Sequence, residues 1–313
     1  MTGLFAAAYL SFMAHAAPVH VILDTDLGDD IDDTWALAML LGSPDVKLDL
    51  IVTASDDTPT KTRLVAKILE HMGRTDVPVA TGAKTSGNAI NQSKWLGDYD
   101  LKNYKGQVID DGVGALIDAI KKAPDGVVLC VLGPQTNIKA ALERDPSIAQ
   151  KAKVVMMAGS VHIGYDGKEG RSPEWNVFKD IPAAKAVFAA PWQITIAPLD
   201  ICGTLRLVGP RYLRVRNAEC PLAKTTIENY DLWTNRNQHP SASSSILFDT
   251  AAAYLTFDES LMEIETVKLV IDDKGNTVPD DNGRPVRCAL RWKNRDAFEE
   301  LLIARVTQKP AAP

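Results

Sequence analysis

Six of the ten residues from Asp24 to Asp33 are aspartates, in the run DTDLGDDIDD, and an apolar segment, Val19 to Leu23, precedes them. Carboxylates crowded within a few ångströms raise one another's pKa unless a cation neutralises them. Hard oxygen donors select calcium or magnesium over zinc. The run therefore reads as a metal loop at the end of a buried strand, and the other reacting groups should lie where neighbouring strands end.

Those strands are legible as apolar runs bounded by turn residues: Val19–Leu23, Leu48–Val52, Val77–Ala80, Val127–Leu132, Val154–Met157 and Ile194–Ala197. Between them, Thr34–Leu41, Lys61–His71, Val113–Lys121, Thr136–Leu142 and Ile181–Ala189 carry apolar residues at helical spacing. Strand and helix in alternation predict a mostly parallel, Rossmann-like open sheet flanked by helices, of the α/β class. In such sheets ligands bind beyond the carboxyl ends of the strands. Further on, the pattern predicts helices over Pro221–Asn237, Ser245–Phe257 and Asp296–Val306, and a small strand pair, Met262–Asp272 with Val286–Trp292. No repeat or low-complexity linker interrupts the chain, so residues 17–313 read as a single domain.

With 313 residues and 46% hydrophobic content the chain can bury a sizeable core. A net charge of −6 without a basic stripe argues against a polynucleotide partner and favours a small neutral substrate. Residues Gly3 to Met13 are apolar, and Ala14-His15-Ala16 ahead of Ala17-Pro18 matches a small-x-small cleavage site, which points to a signal peptide and a periplasmic or secreted protein. No lysine or arginine precedes that run, so either the true start lies upstream or the segment is a floppy apolar N-terminus on an otherwise cytoplasmic protein. The run is too short to span a membrane. Cys130, Cys202, Cys220 and Cys288 show no metal-ligand spacing, and a Cys202–Cys220 disulfide is open in an oxidising compartment.

The aspartate run, followed by VPVATGA (Val77–Ala83), LGPQTNI (Leu132–Ile138), MAGS (Met157–Ser160), PEWN (Pro173–Asn176) and LFDTAA (Leu247–Ala252), resembles the inosine-uridine nucleoside hydrolase family over about Val19 to Phe257. The resemblance implies a calcium-dependent N-ribohydrolase that releases a nucleobase from ribose, acting on small nucleosides and often assembled as a homo-oligomer. By the same resemblance the metal would be held by Asp26, Asp33, Asp249 and the Leu132 carbonyl. Ribose hydroxyls would be gripped by Asp32, Glu174 and Asn176, with Ser55, Asp56 and Met157 completing the substrate contacts.

Residue chemistry is consistent with that activity. Calcium lowers the pKa of a coordinated water less than zinc does, so a neighbouring carboxylate must take the proton, and Asp26 is the candidate base. Asp32 and Glu174 would add negative charge around a sugar ring that becomes positive. The family pattern is not followed everywhere. Asp29-Asp30-Ile31 stand between Gly28 and the final aspartate pair where the family has fewer residues, which makes Asp30 the alternative ligand. Ser55 replaces a usual asparagine, with Asp56 as its substitute, and Phe248 stands where a histidine commonly precedes the last aspartate. His239, nine residues earlier, is the nearby candidate for a replacement acid.

Blander roles are assigned to the rest. Asp24 is read as capping backbone amides, Trp175 as core, and His20, His71 and His162 as structural or loop residues. Tyr230 and Trp233 either fill core or stack on a base. Two rival readings remain: a nucleoside- or ribose-binding protein that keeps the metal cradle without turnover, and a magnesium phosphohydrolase of the haloacid-dehalogenase type. The latter expects threonine or valine where Gly28 stands.

Overall fold

The computed structural model describes residues 17–234 and 242–311. Ten strands form one sheet: β1 (Val19–Thr25), β2 (Val46–Thr53), β3 (Val79–Thr81), β4 (Val108–Ile109), β5 (Val128–Val131), β6 (Lys153–Met157), β7 (Ile194–Ala197), β8 (Met262–Ile271), β9 (Thr277–Pro279) and β10 (Arg284–Trp292). Their spatial order is β4-β3-β2-β1-β5-β6-β7-β10-β8-β9. All pairings from β4 across to β10 are parallel, and only β10–β8 and β8–β9 are antiparallel.

The alternation of strand faces explains why the runs are continuously apolar. In β1, Val21 and Leu23 point into one core while Ile22 points into the other, so a strand with helices on both sides needs apolar residues at every position. One layer contains the helices Asp32–Leu41, Thr58–His71, Pro221–Trp233, Phe248–Leu255 and Arg295–Val306; the opposite layer contains Gly112–Lys122, Thr136–Arg144 and Ile181–Ala189. The helix Asp32–Leu41 is buried all round, wedged against the Phe248–Leu255 and Arg295–Val306 helices.

The parallel, doubly covered sheet is as expected from the sequence, with differences at the margins. The strand pair expected near the C-terminus does form, but β10 docks beside β7 and β9 adds a third strand, so it extends the main sheet. The helix expected over Pro221–Asn237 is described to Trp233, and the one expected over Ser245–Phe257 spans Phe248–Leu255. His239 and residues 1–16 lie outside the described residues. The four cysteines are free. Among the described residues no helix is long and apolar enough to cross a membrane.

Candidate metal and substrate site

Strand order reverses beside β1, which lies between β2 and β5. Loops leaving β1 and β5 therefore diverge and open a crevice at the carboxyl end of the sheet. The aspartate loop leaves β1 there, and Leu132 follows β5, its amide bonded to the Asp24 carbonyl at 2.8 Å. The two loops are pressed together: a Cβ placed on Gly133 would stand 3.0 Å from both the Cβ and the backbone nitrogen of Asp26, so any larger residue would push the Asp26 loop aside. Asn137, in the first turn of the helix Thr136–Arg144 that follows, holds the floor, donating to the Asp24 carboxylate at 2.8 Å and the Thr53 carbonyl at 3.1 Å and accepting from the Ala83 amide at 2.8 Å.

The helix Asp32–Leu41 begins two residues before its apolar pattern does, which puts Asp32 and Asp33 in its first turn, where the helix dipole favours negative charge. Asp249 sits in the first turn of Phe248–Leu255, and its amide donates to Asp32 Oδ2 at 3.2 Å. Carboxylate oxygens of Asp32, Asp33 and Asp249 all lie within 4.8 Å of one another, and the three residues are buried. Thr25 Oγ1 donates to Asp33.

These groups line one cavity of about 470 Å³ together with Asp26, Asp29, Asp30, Leu132, Met157, Glu174 and Asn176. That volume is in the range of small-molecule sites. Glu174 is locked in place as a helix cap: its carboxylate accepts from the amides of Asn176 (2.7 Å), Gly159 (2.9 Å) and Val177 (3.3 Å). The Asn176 amide group donates to the carbonyls of Leu132 (2.8 Å) and Met157 (3.1 Å). Tyr165, Trp175, Trp233 and Phe248 supply aromatic walls.

Of the residues singled out in the sequence, Asp26, Asp32, Asp33, Leu132, Met157, Glu174, Asn176 and Asp249 converge on this cavity, and Asp30 stands at its mouth. Ser55 and Asp56 do not line it. Both adopt left-handed backbone angles, φ 61° and 52°, and the Asp56 carboxylate is engaged by Ser86 (2.6 Å), Asn88 (3.3 Å) and Lys179 (3.4 Å). Two further expectations change: Asp24 meets the Asn137 side chain rather than backbone amides, and Trp175 is 53% exposed on the cavity wall rather than in the core. Of the pair left open, Trp233 lines the cavity and Tyr230 is core. His20, His71 and His162 are absent from the lining. Lys61, fully buried beneath the aspartate loop, is not singled out by its spacing; a lysine in an otherwise apolar helix face was the one available signal.

Burial pushes Asp26 up to about 6, against the pull of the Lys61 cation, and pushes Asp24 and Glu174 up to about 7. Asp32, Asp33 and Asp249 are held well above the ordinary carboxylate range by burial and by the charge of neighbouring aspartates, Asp26 and Asp30 among them. Buried oxygens that resist ionisation in isolation fit a divalent cation, and three carboxylates beside a backbone carbonyl are a donor set for a hard one.

A pH signature follows for the metal-free protein. Each of these carboxyls titrates higher in the fold than in the unfolded chain, so its contribution to stability is complete below about pH 4 and is lost as pH rises through about 6 to 7. Thermal melts of chelator-treated protein should show Tm dropping by about 5 °C or more between pH 5 and 7.5, with calcium restoring it at the upper end. A Tm that rises steadily across that window without metal would contradict this electrostatic picture.

Comparison with known proteins agrees with the geometry. Residues 21–304 match the family described as inosine-uridine preferring nucleoside hydrolase. The chain is similar to the pyrimidine-specific ribonucleoside hydrolase RihA of Enterobacter sp. (strain 638), with 31% identity over 68% of this chain and 70% of that one. It is also similar to the inosine-uridine preferring nucleoside hydrolase of Crithidia fasciculata, 29% identical over 90% of this chain and 95% of the relative. Among solved structures, a plant nucleoside hydrolase superposes with a TM-score of 0.79 at 25% identity, covering 93% of this chain and 99% of the other. Sequence, sheet topology and the convergence of acidic loops thus agree, and the chain belongs to the inosine-uridine preferring nucleoside hydrolase family, whose members are hydrolases of N-glycosyl bonds.

Proposed function

We propose that this protein hydrolyses the N-glycosidic bond of ribonucleosides to ribose and free base, with calcium as its metal. The observation that carries the reading is the gathering of Asp26, Asp32, Asp33, Asp249, Glu174 and Asn176 around one nucleoside-sized cavity. Asp33, Asp249 and the Leu132 carbonyl would hold the ion; that carbonyl accepts one hydrogen bond from Asn176 and keeps its second lone pair for a ligand. The third carboxylate is Asp26 by family resemblance and Asp32 by proximity to the other two. When bound, calcium supplies a positive centre that orients ribose hydroxyls and eases deprotonation of water.

The chain's own groups do the rest. Asp26, buried and raised to about 6, is ionised for the most part at neutral pH yet basic enough to take a proton from the attacking water. Glu174, immobilised by three amides, and Asp32 would present negative charge to the sugar as its ring becomes positive, once a bound cation and the developing sugar charge favour their ionised forms. Tyr165, Trp175, Trp233 and Phe248 offer flat apolar faces to the base. Phe248 itself has no proton to give, and departure of the base relies on stabilisation of the sugar cation.

Incubating the protein with purine and pyrimidine ribonucleosides and assaying free ribose tests this directly. Ribose release from at least one of them, abolished by chelator and restored by calcium, is the expected result. Nucleoside binding with no ribose release under any metal would instead support the binding-protein reading.

A further inference from the structure

The helix Thr58–His71 carries Lys61 as its fourth residue, with the side chain completely removed from solvent. Two effects oppose that placement: an ammonium loses its hydration on burial, and the helix N-terminus bears partial positive charge. Three acceptors compensate, matching the three donors of an ammonium: the Asp26 carbonyl at 2.8 Å, the Asp29 carboxylate at 2.6 Å and the Ala54 carbonyl at 3.2 Å. They belong to two loops, the one leaving β1 and the one leaving β2, so a single cation ties together the two loops on that side of the crevice.

The aspartate loop is moulded over this lysine. Gly28 has φ +131°, and a Cβ there would stand 3.4 Å from Lys61 Cγ and 2.7 Å from Ile90 Cγ2. The outer side of the same loop is held by Trp233 Nε1 and Asn91 Nδ2, which donate to the Asp29 carbonyl at 2.9 and 3.0 Å, and by the Gln92 side chain, which donates to the Asp30 carbonyl. Asp29 belongs to the loop Leu27–Ile31, and Lys61 is the buried group that this loop encloses.

We propose that Lys61 is a positioning residue, an internal cation paired with Asp29 that holds the Leu27–Ile31 loop in the shape in which Asp26, Asp32 and Asp33 face one metal ion. The proposal rests on the metal reading above. It makes a prediction opposite in sign to simple charge repulsion. A positive charge near a cation site, acting only through space, weakens calcium binding, so its removal would tighten it; a positioning lysine, once removed, leaves the ligands unaligned.

Calcium titration by calorimetry of the wild type, Lys61→Met, Asp29→Asn and the double variant separates these cases. Loss of an outer partner of a metal ligand costs about 10- to 100-fold in affinity, so each single variant should bind calcium at least about tenfold more weakly. Because the two residues act as a pair, the double variant should be no weaker than the worse single one. Hydrogen exchange on the metal-free protein gives a second readout: amides of Leu27–Ile31 should exchange faster in both single variants while the rest of the sheet keeps its protection. If Lys61→Met does not fold, loop exchange in metal-free Asp29→Asn decides, because loss of the Asp29 charge would by itself weaken calcium binding whereas faster exchange at Leu27–Ile31 reports the loop's shape. If the wild type binds no calcium, the metal reading has failed, and exchange at Leu27–Ile31 decides the positioning role alone. Wild-type calcium affinity and wild-type loop exchange in Asp29→Asn, or tighter calcium binding in Lys61→Met, would overturn the proposal.

Discussion

Replacing Asp26 by alanine should lower ribonucleoside hydrolysis by about 10⁴-fold or more, the upper range for loss of a general base, compounded by loss of bound metal. The residue is buried, and Gly133 packs against its Cβ. The remaining acids, Asp32, Asp33 and Asp249, are already forced upward by burial and mutual repulsion. Full calcium occupancy in Asp26→Ala, measured by equilibrium dialysis, would show that Asp26 is no ligand. Running Asp26→Asn beside Asp32→Asn then identifies the third carboxylate: the ligand loses affinity, whereas a ribose-gripping residue loses turnover with the metal retained.

Discrimination against 2′-deoxyribonucleosides should be nearly as large, about 10⁴-fold in kcat/KM, the scale on which a site built for a hydroxyl rejects its absence. Glu174 and Asn176 are the reason. Both are buried, and each is fixed by several backbone groups, Glu174 by three amides and Asn176 by two carbonyls, so neither can relax to satisfy itself when the hydroxyl is missing. Parallel kinetics on matched ribo- and deoxyribonucleosides measure it, and equal values would remove both residues from the ribose subsite.

Much of this arrangement is visible in the amino-acid sequence because buried parallel strands leave an unambiguous trace. Ile194–Ala197 needs apolar residues on both faces, and the structure places β7 over the same four residues. Edge elements leave no such trace. β4 and β9 are two and three residues long and only partly buried, too short for periodicity to register. At the site, the aspartate run and PEWN announce themselves by residue type, whereas Lys61 and Trp233 depend on which helix crosses which loop. Asp56 illustrates the reverse: its type and position after β2 invite a substrate role, but a left-handed turn directs it to Ser86, Asn88 and Lys179. Trp175 looked like core because tryptophan usually is, and only the capping geometry of Glu174 shows that its short helix turns it outward.

The brevity of the outermost strands has a consequence for how copies of this chain can meet. An exposed sheet edge is a template onto which another chain can add by backbone pairing, and proteins guard against it with short or proline-bearing margins. Here one margin is Val108–Ile109 and the other Thr277–Pro279, ending in a residue that cannot donate an amide hydrogen. Neither offers the run of free amides and carbonyls that a stable intermolecular ladder requires. At these two strands backbone pairing with another copy is therefore disfavoured, and contacts made there would be decided by side chains.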